Sequence, residues 1–374
     1  LIEAHGLDVR VTVADDSPSE KDAIAQRDAA AAIARATGLN LKFVDPRRRR
    51  IIADEIADQA DVRRSLMRFA FSGRPPPRNG IGGSRNVLAL LLQNRVVLSA
   101  DDDVLATFIR PEPAELDLWI TSGDARMSLV PFDSPADISA QMPSGSTLNP
   151  FDMHARFAGR PVSALVREAE GAGSLFETSS ALANSLVHDD LKVAVSASGL
   201  AGDCGSDCQA FYTYLGTAQE SRDYILAAGD RLPRSREVLR SARFPILCDA
   251  NSLMTFCYAF DNRLALPPFF PVGRGEDQAW QALLHHVLPD TLIAHLPVAV
   301  SHRPEPPREF TDTDYLDPCR EFPANAFIIW AIGRFSAGGG ARNLGAIGQH
   351  FCELTADEKW FADSLRHAWH GYVD

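Results

Sequence analysis

Residues 96–103 read Val-Val-Leu-Ser-Ala-Asp-Asp-Asp, an apolar run that ends in three consecutive carboxylates. The run predicts a strand over Val96–Leu98 closing on Asp101–Asp103. Upstream, Gly82-Gly-Ser-Arg85-Asn86 opens the segment that leads into it, with Ser84 predicted to cap a short helix through Gln93. Further upstream, Val9-Arg-Val-Thr-Val13 alternates, is β-branched and runs into a second acidic pair, Asp15-Asp16. Ser17-Pro-Ser-Glu20 has the form of a capping box with Pro at the first helical position. The Ala-rich stretch behind it is predicted to stay helical to Thr37, with Gly38 as its stop. Leu39–Val44 predicts another strand, closed by Asp45-Pro46, and a helix is expected from about Ile51 to Phe71. A Gly/Pro loop over 73–83 then leads back to the triplet strand.

Strands alternating with helices imply an α/β fold with a mainly parallel, doubly wound sheet flanked by helices. Such sheets bind ligands outside the carboxyl ends of their strands, where both acidic clusters fall. Downstream, 116–229 carries Pro, Gly and Ser clusters and few long periodic segments, which predicts an insertion or second lobe. Order returns from Arg243 to Arg303, through Leu266-Pro-Pro-Phe-Phe-Pro271, the loop Val272–Gln278 and a helix from about Asp277 to Val287. Pro304–Pro307 reads as a linker, and the remainder to Asp374 is expected to be helical. The division that follows is 1–115, 116–242 as inserted lobe, 243–305, and 306–374 as a helical C-terminal region.

The chain has 374 residues, and 37 Lys and Arg against 49 Asp and Glu give a net charge of -12. That balance argues against nucleic acid, whose phosphates are held by basic surfaces. No apolar run approaches the roughly 18 to 20 residues that span a bilayer. No signal peptide is recognisable, and six cysteines are too few for a disulfide scaffold, so a cytoplasmic location is expected. Cys204-Gly-Ser-Asp-Cys208 is the one close cysteine pair. Its spacing can suit a metal, but with no matching pair nearby it reads as a loop with ordinary thiols.

Mg²⁺ or Mn²⁺ takes hard oxygen ligands, commonly one or two carboxylates completed by phosphates and water. Asp101 and Asp103, one residue apart at a strand end, have that character. A solvated acidic turn would look the same in isolation.

The order of the motifs resembles the GT-A glycosyltransferases, especially their large family 2 group. Those enzymes show a strand ending in Asp-Asp, a helix opened by Gly and Arg-Asn, then a strand ending in Asp-x-Asp. Here these stand as Val-Thr-Val-Ala-Asp15-Asp16, Gly82-Gly-Ser-Arg85-Asn86 and Asp101-Asp-Asp103. The resemblance implies a Rossmann-like GT-A fold and a metal-dependent transferase acting on a nucleotide-sugar donor, a UDP-sugar above all. Asp15, Asp16, Arg85, Asp101 and Asp102 are then expected to bind the nucleotide sugar. Asp101 and Asp103 would hold Mn²⁺ or Mg²⁺, with His302 as a further ligand. Gly275-Glu276-Asp277-Gln278 matches the acidic opening of the acceptor-site helix, which makes Asp277 the general base and Glu276 its substitute. A carboxylate there is also an ordinary helix cap.

The match covers roughly 7–110 and 260–305. The family also carries a strand and helix ahead of the first acidic strand, where only Leu1–Gly6 stand here. Asp152 and His154 are weaker candidates for the acceptor lobe, Arg47–Arg50 reads as a solvated face, and His285-His286 as structural. The acceptor could be a glycan, lipid, peptide or small molecule. Alternatives are a sugar-phosphate nucleotidyltransferase, or a non-catalytic nucleotide- or carbohydrate-binding protein on the same fold.

Overall fold

Ser17 does not cap the first helix. Its amide and hydroxyl both donate to Asp15 Oδ1, at 3.1 and 2.6 Å, so the cap passes to Ser19. Ser19 accepts from Asp22 N, and α1 spans Glu20–Thr37. Gly38 ends it in the left-handed conformation, at φ 69°, as the sequence predicts. The flanking strands β1 (Arg10–Ala14) and β2 (Asn40–Val44) pair in parallel. Asp45 caps α2 (Pro46–Gln59) with Pro46 at its first position. The helix expected over 51–71 is therefore two: α2 ends at Gln59, Asp61 takes a positive φ of 53°, and α3 follows at Arg64–Ser72. α4 (Ile81–Leu91) then leads to β3 (Val96–Ala100).

This computed structural model describes residues 9–72, 81–109, 118–123, 127–140, 149–169, 174–188, 190–205, 223, 236–249, 253–310, 324–335 and 343–373. Leu1–Gly6, residues 73–80 of the Gly/Pro loop, and Cys208 lie outside them.

A ten-stranded mixed sheet forms the centre, with helices packed against it. Its main path runs β3, β11 (Cys257–Asp261), β8 (Lys192–Asp203), β12 (Thr291–His302), β10 (Ile246–Cys248), β5 (Leu118–Thr121) and β7 (Ser174–Glu177). Three neighbouring pairs are parallel: β8 with β12, β10 with β5, and β5 with β7. β3 with β11, β11 with β8, and β10 with β12 are antiparallel. β4 (Val104–Ile109) adds to β12, while β6 (Ser128–Pro131) and β9 (Glu237–Ser241) add through β8. The βα rhythm of the first hundred residues thus predicts the parallel β1–β2 pair but not the antiparallel joins around β3.

Residues 116–242, expected as an inserted lobe, contribute β5 to β9 to this same sheet. β8 lies in its middle. Eleven of its twelve residues are buried, and all twelve of β12 are. Strands covered on both faces lose the alternation that marks half-exposed strands, which is why Val193-Ala-Val-Ser-Ala-Ser-Gly-Leu-Ala201 escapes a pattern reading.

Helices α5 (Pro135–Ala140), α6 (Pro150–Ala155), α7 (Val162–Ala169) and α8 (Ser180–His188) accompany the middle strands. α9 (Glu276–Val287) packs through Trp280 and Leu284 on Tyr258, Phe260 and Val195 of the sheet. Trp280 stacks on Phe269 at 4.5 Å and 4°, and its Nε1 donates to Pro267 O at 2.7 Å. Burying one large aromatic contributes on the order of 3 kcal/mol, so this contact holds the start of α9 firmly. α10 (Ala324–Gly333), α11 (Asn343–Ala356) and α12 (Glu358–Val373) form the helical C-terminal region that the sequence predicts. Among the described residues no helix is long and apolar enough to cross a membrane.

Candidate functional site

Three consecutive aspartates turn to three different neighbours. Asp101 meets Arg85, Asp102 lies within electrostatic reach of Asp16, and Asp103 meets His302. Each neighbour ends or begins a different element, so the site assembles where β1, β3 and β12 stop and α4 and α9 start.

Arg85 lies in α4, whose first turn holds Gly82 and Gly83. A Cβ on Gly82 would fall 1.9 Å from Phe270 O, and one on Gly83 2.9 Å from the Phe71 backbone. The glycines therefore let the helix start nestle between α3 and the 267–271 turn. Asn86 fixes that turn: its Nδ2 donates to Phe269 O at 2.9 Å and its Oδ1 accepts from Phe269 N at 2.7 Å. The guanidinium of Arg85 is then aimed at Asp101 and Glu276. Nη2 donates to both Asp101 oxygens at 3.0 Å and to Thr255 O at 3.0 Å, and Nη1 donates to Glu276 Oε1 at 2.9 Å. Burial penalises this cation, but Asp101, Tyr258, Glu276 and Asp277 more than offset the penalty and raise its pKa. The Asp101 carboxyl is also raised, by burial first, with Arg85 opposing.

Asp277 follows Glu276 in the first turn of α9 and accepts from Gln278 N at 2.8 Å. Burial and the adjacent Glu276 push its carboxyl up to about 6, against the pull of Arg85. The helix start is set by Gly273 and Gly275, at φ 88° and 78°. Asn325 of α10 binds the loop, donating to Val272 O at 3.3 Å and Arg274 O at 2.9 Å. The C-terminal helices thereby help position Asp277.

At the other end, Asp103 Oδ2 lies 3.0 Å from His302 Nε2, while His302 Nδ1 is 2.6 Å from Asp203 O. Burial disfavours the imidazolium, yet the hydrogen bond and charge of Asp103 prevail and raise the His302 pKa. The same pairing outweighs burial at Asp103 and lowers its pKa. Among the described residues no three His, Cys, Asp or Glu side chains converge as a ready-made metal cage. Asp103 Oδ2 and His302 Nε2 face each other as an oxygen and a nitrogen, and Asp101 is held by Arg85.

The β1 end adds Asp15 and Asp16. Asp16 is raised by burial, with Arg49 opposing and Asp102 and Asp15 reinforcing. Arg49 is buried, not part of a solvated face. Its Nη1 donates to Ser84 Oγ at 2.8 Å, tying α2 to the start of α4. Counting from Pro46, Arg49, Ile52, Ala53 and Ala57 fall on one helical face, a periodicity that a helix starting at Ile51 conceals. Asp15 Oδ2 and Arg49 Nε are buried atoms without a hydrogen-bond partner.

Sequence reading also passes over Asp203, Arg236 and Arg308. The β8–β12 register, which pairs Gly202 with His302, brings Asp203 beside the partner of Asp103, and Arg236 and Arg308 both bind Asp203. His154 is away from this cluster, buried between Ser196 Oγ (2.8 Å) and Ser198 Oγ (3.0 Å), and desolvation takes it down to about 4. Asp152 lies on the outer side of α6 beside Arg156 and Arg160. His286 packs edge-on against Phe335, in keeping with a structural role. Protein-family models, curated proteins and solved structures contain no match to this chain.

Proposed function

We propose that this chain is a metal-dependent glycosyltransferase of the GT-A, family 2-like type. It moves a sugar from a nucleoside-diphosphate donor, a UDP-sugar in the first instance, to a hydroxyl of a glycan, lipid, peptide or small-molecule acceptor. The observation that carries this reading is the division of labour within Asp101–Asp103. One carboxylate goes to the helix-start arginine, one lies within electrostatic reach of Asp16 and one goes to His302, so the motifs that the resemblance lines up in sequence are also neighbours in space.

Charge supports the same reading. Asp15, Asp16, Asp101, Asp102, Asp103, Glu276 and Asp277 face Arg49, Arg85, His302 and Arg308, a surplus of carboxylate that a divalent cation would offset. The donors fit Mn²⁺ or Mg²⁺: Asp103 and His302 as ligands, Asp101 behind them, with phosphate oxygens and water completing the shell. Bound there, the cation would neutralise the departing nucleoside diphosphate.

The remaining steps belong to the chain itself. Asp15, Asp16 and Arg49 form the nucleoside end, where Asp15 Oδ2 and Arg49 Nε offer an unfilled acceptor and donor to a base edge. Arg85 fixes Asp101 and Glu276 and keeps the carboxylates from repelling one another apart. Asp277, unpaired by Arg85 and poised near neutrality, takes the proton of the incoming hydroxyl as it attacks the anomeric carbon, which inverts the configuration. Among the described residues the Cys257 and Cys352 thiols are free, as the cytoplasmic location proposed for it requires.

A ligand that binds only the folded state raises the melting temperature as its concentration exceeds its dissociation constant. A panel of nucleotide sugars should therefore raise the melting temperature in the presence of Mn²⁺, UDP-sugars most. A panel in which no nucleotide sugar stabilises the protein, with or without Mn²⁺, would contradict the reading.

A further inference from the structure

Beside Asp103 and His302 lies a cationic group that the transferase reading leaves unused. Asp203 closes β8 next to His302 and is nearly fully buried, its side chain 5% exposed. Its carboxylate is shared between two guanidiniums. Arg236 takes it with two nitrogens, Nε at 2.7 Å and Nη2 at 3.2 Å, while Arg308 Nη2 takes Oδ1 at 2.9 Å. Gly205 N adds a further donor at 2.8 Å. Arg236 is packed over the Phe310 ring at 4.7 Å and is almost wholly buried, so its fork is committed to Asp203.

Arg308 is placed differently. Its side chain is 35% exposed, and among the described residues it makes one hydrogen bond, to Asp203. Its Nε is buried without a partner. One carboxylate is shared by two guanidiniums, and the exposed part of Arg308 keeps donors beyond the one given to Asp203. The neighbouring Arg303 is already matched by Glu237. A continuous contact path joins Arg308 to the acidic triplet: Arg308 to Asp203, Asp203 O to His302 Nδ1, and His302 Nε2 to Asp103. Arg308 also acts electrostatically on Asp103. An anionic oxygen is the group that the exposed edge of this guanidinium takes most strongly.

We propose that Arg308, braced by the buried Asp203–Arg236 pair, binds a phosphate or carboxylate group of a substrate at the His302 end of the acidic site. The anion has two possible sources, the diphosphate of the donor or an acidic group on the acceptor. The Asp203–Arg236 pair is the fixed bed, and the exposed half of Arg308 is the contact. Arginine suits this role because its planar fork meets such oxygens with two parallel hydrogen bonds.

The test is calorimetric titration of inorganic pyrophosphate and of orthophosphate into the intact chain, with Arg308→Lys and Arg308→Gln as variants. The expected order of affinity is wild type, then Lys, then Gln, with Arg308→Gln weakened about tenfold or more. Melting curves check that each variant folds. Should Arg308→Gln not fold, Arg308→Lys carries the test, and pyrophosphate affinity equal to wild type in it overturns the proposal. Wild-type protein that binds neither anion, or a folded Arg308→Gln that binds as the wild type does, also overturns it. Added UDP then separates the sources: displacement of the anion assigns it to the donor diphosphate, and retention assigns it to the acceptor. Because pyrophosphate carries no nucleoside, a protein that binds it through Arg308 but ignores UDP would sink the transferase reading while leaving this one standing.

Discussion

Replacing Arg85 by alanine is expected to cost about 3–5 kcal/mol of folding stability, the largest effect of any single substitution in the site. The side chain is 6% exposed and holds Asp101, Glu276 and the Thr255 carbonyl at once, across α4, β3, the 253–256 segment and α9. Removing it leaves two carboxylates, 29% and 11% exposed, facing each other with Asp277 beside them and no cation. Their repulsion in a low-dielectric setting is what the figure measures, not the intrinsic worth of the ion pair. Denaturant unfolding followed by tryptophan fluorescence would report it, because Trp280 lies on the same helix as Glu276. Adding Glu276→Gln to Arg85→Ala should recover part of the loss. If the single substitution is nearly neutral, the carboxylates are not held by Arg85.

Asp277→Asn should lower the transfer rate by about 10²- to 10⁴-fold while leaving donor affinity unchanged, the signature of a general base that does not touch the donor. Asp277 works only when ionised, and burial, reinforced by Glu276 and opposed by Arg85, puts its carboxyl at about 6. The wild-type rate should therefore climb between pH 5 and pH 7 and level off above. The stability consequence has the opposite sign. A carboxyl raised from its unfolded value of about 3.9 favours folding while protonated, and that contribution is lost as the pH rises through about 6. The asparagine variant cannot ionise, so at pH 8 it should melt no lower than the wild type. A variant that is inactive because it is unstable would melt lower, and a variant with unchanged rate would remove Asp277 from catalysis.

Much of this site was legible because its residues sit at element ends, where sequence signals are strongest. Asp15 and Asp16 follow a β-branched run, Arg85 follows two glycines, and Asp277 follows a Gly-rich loop. Each carries a local signature that survives without tertiary information. What stayed hidden depends on burial from both sides or on register. β8 has no period because helices and strands cover both its faces, so Asp203 at its end gave no sign of lying beside His302. Arg49 was masked by a basic run whose helical phase depends on starting at Pro46. Ser17 was a sound cap by pattern, and only the nearby Asp15 carboxylate drew its hydroxyl away.

The C-terminal helices were legible as helices but not as part of the site. Their contribution runs through one buried side chain, Asn325, which binds the backbone of the 272–274 loop and so sets where α9 begins.

The most direct measurement of the central claim is the metal dependence of donor binding at Asp103. Isothermal titration of a UDP-sugar into the wild-type chain should give binding with Mn²⁺ and little or none with a chelator present. In Asp103→Ala, Mn²⁺ should no longer help, because the oxygen donor facing His302 Nε2 is gone. Donor binding that is equally tight without Mn²⁺, or that keeps its full Mn²⁺ dependence in Asp103→Ala, would contradict the account.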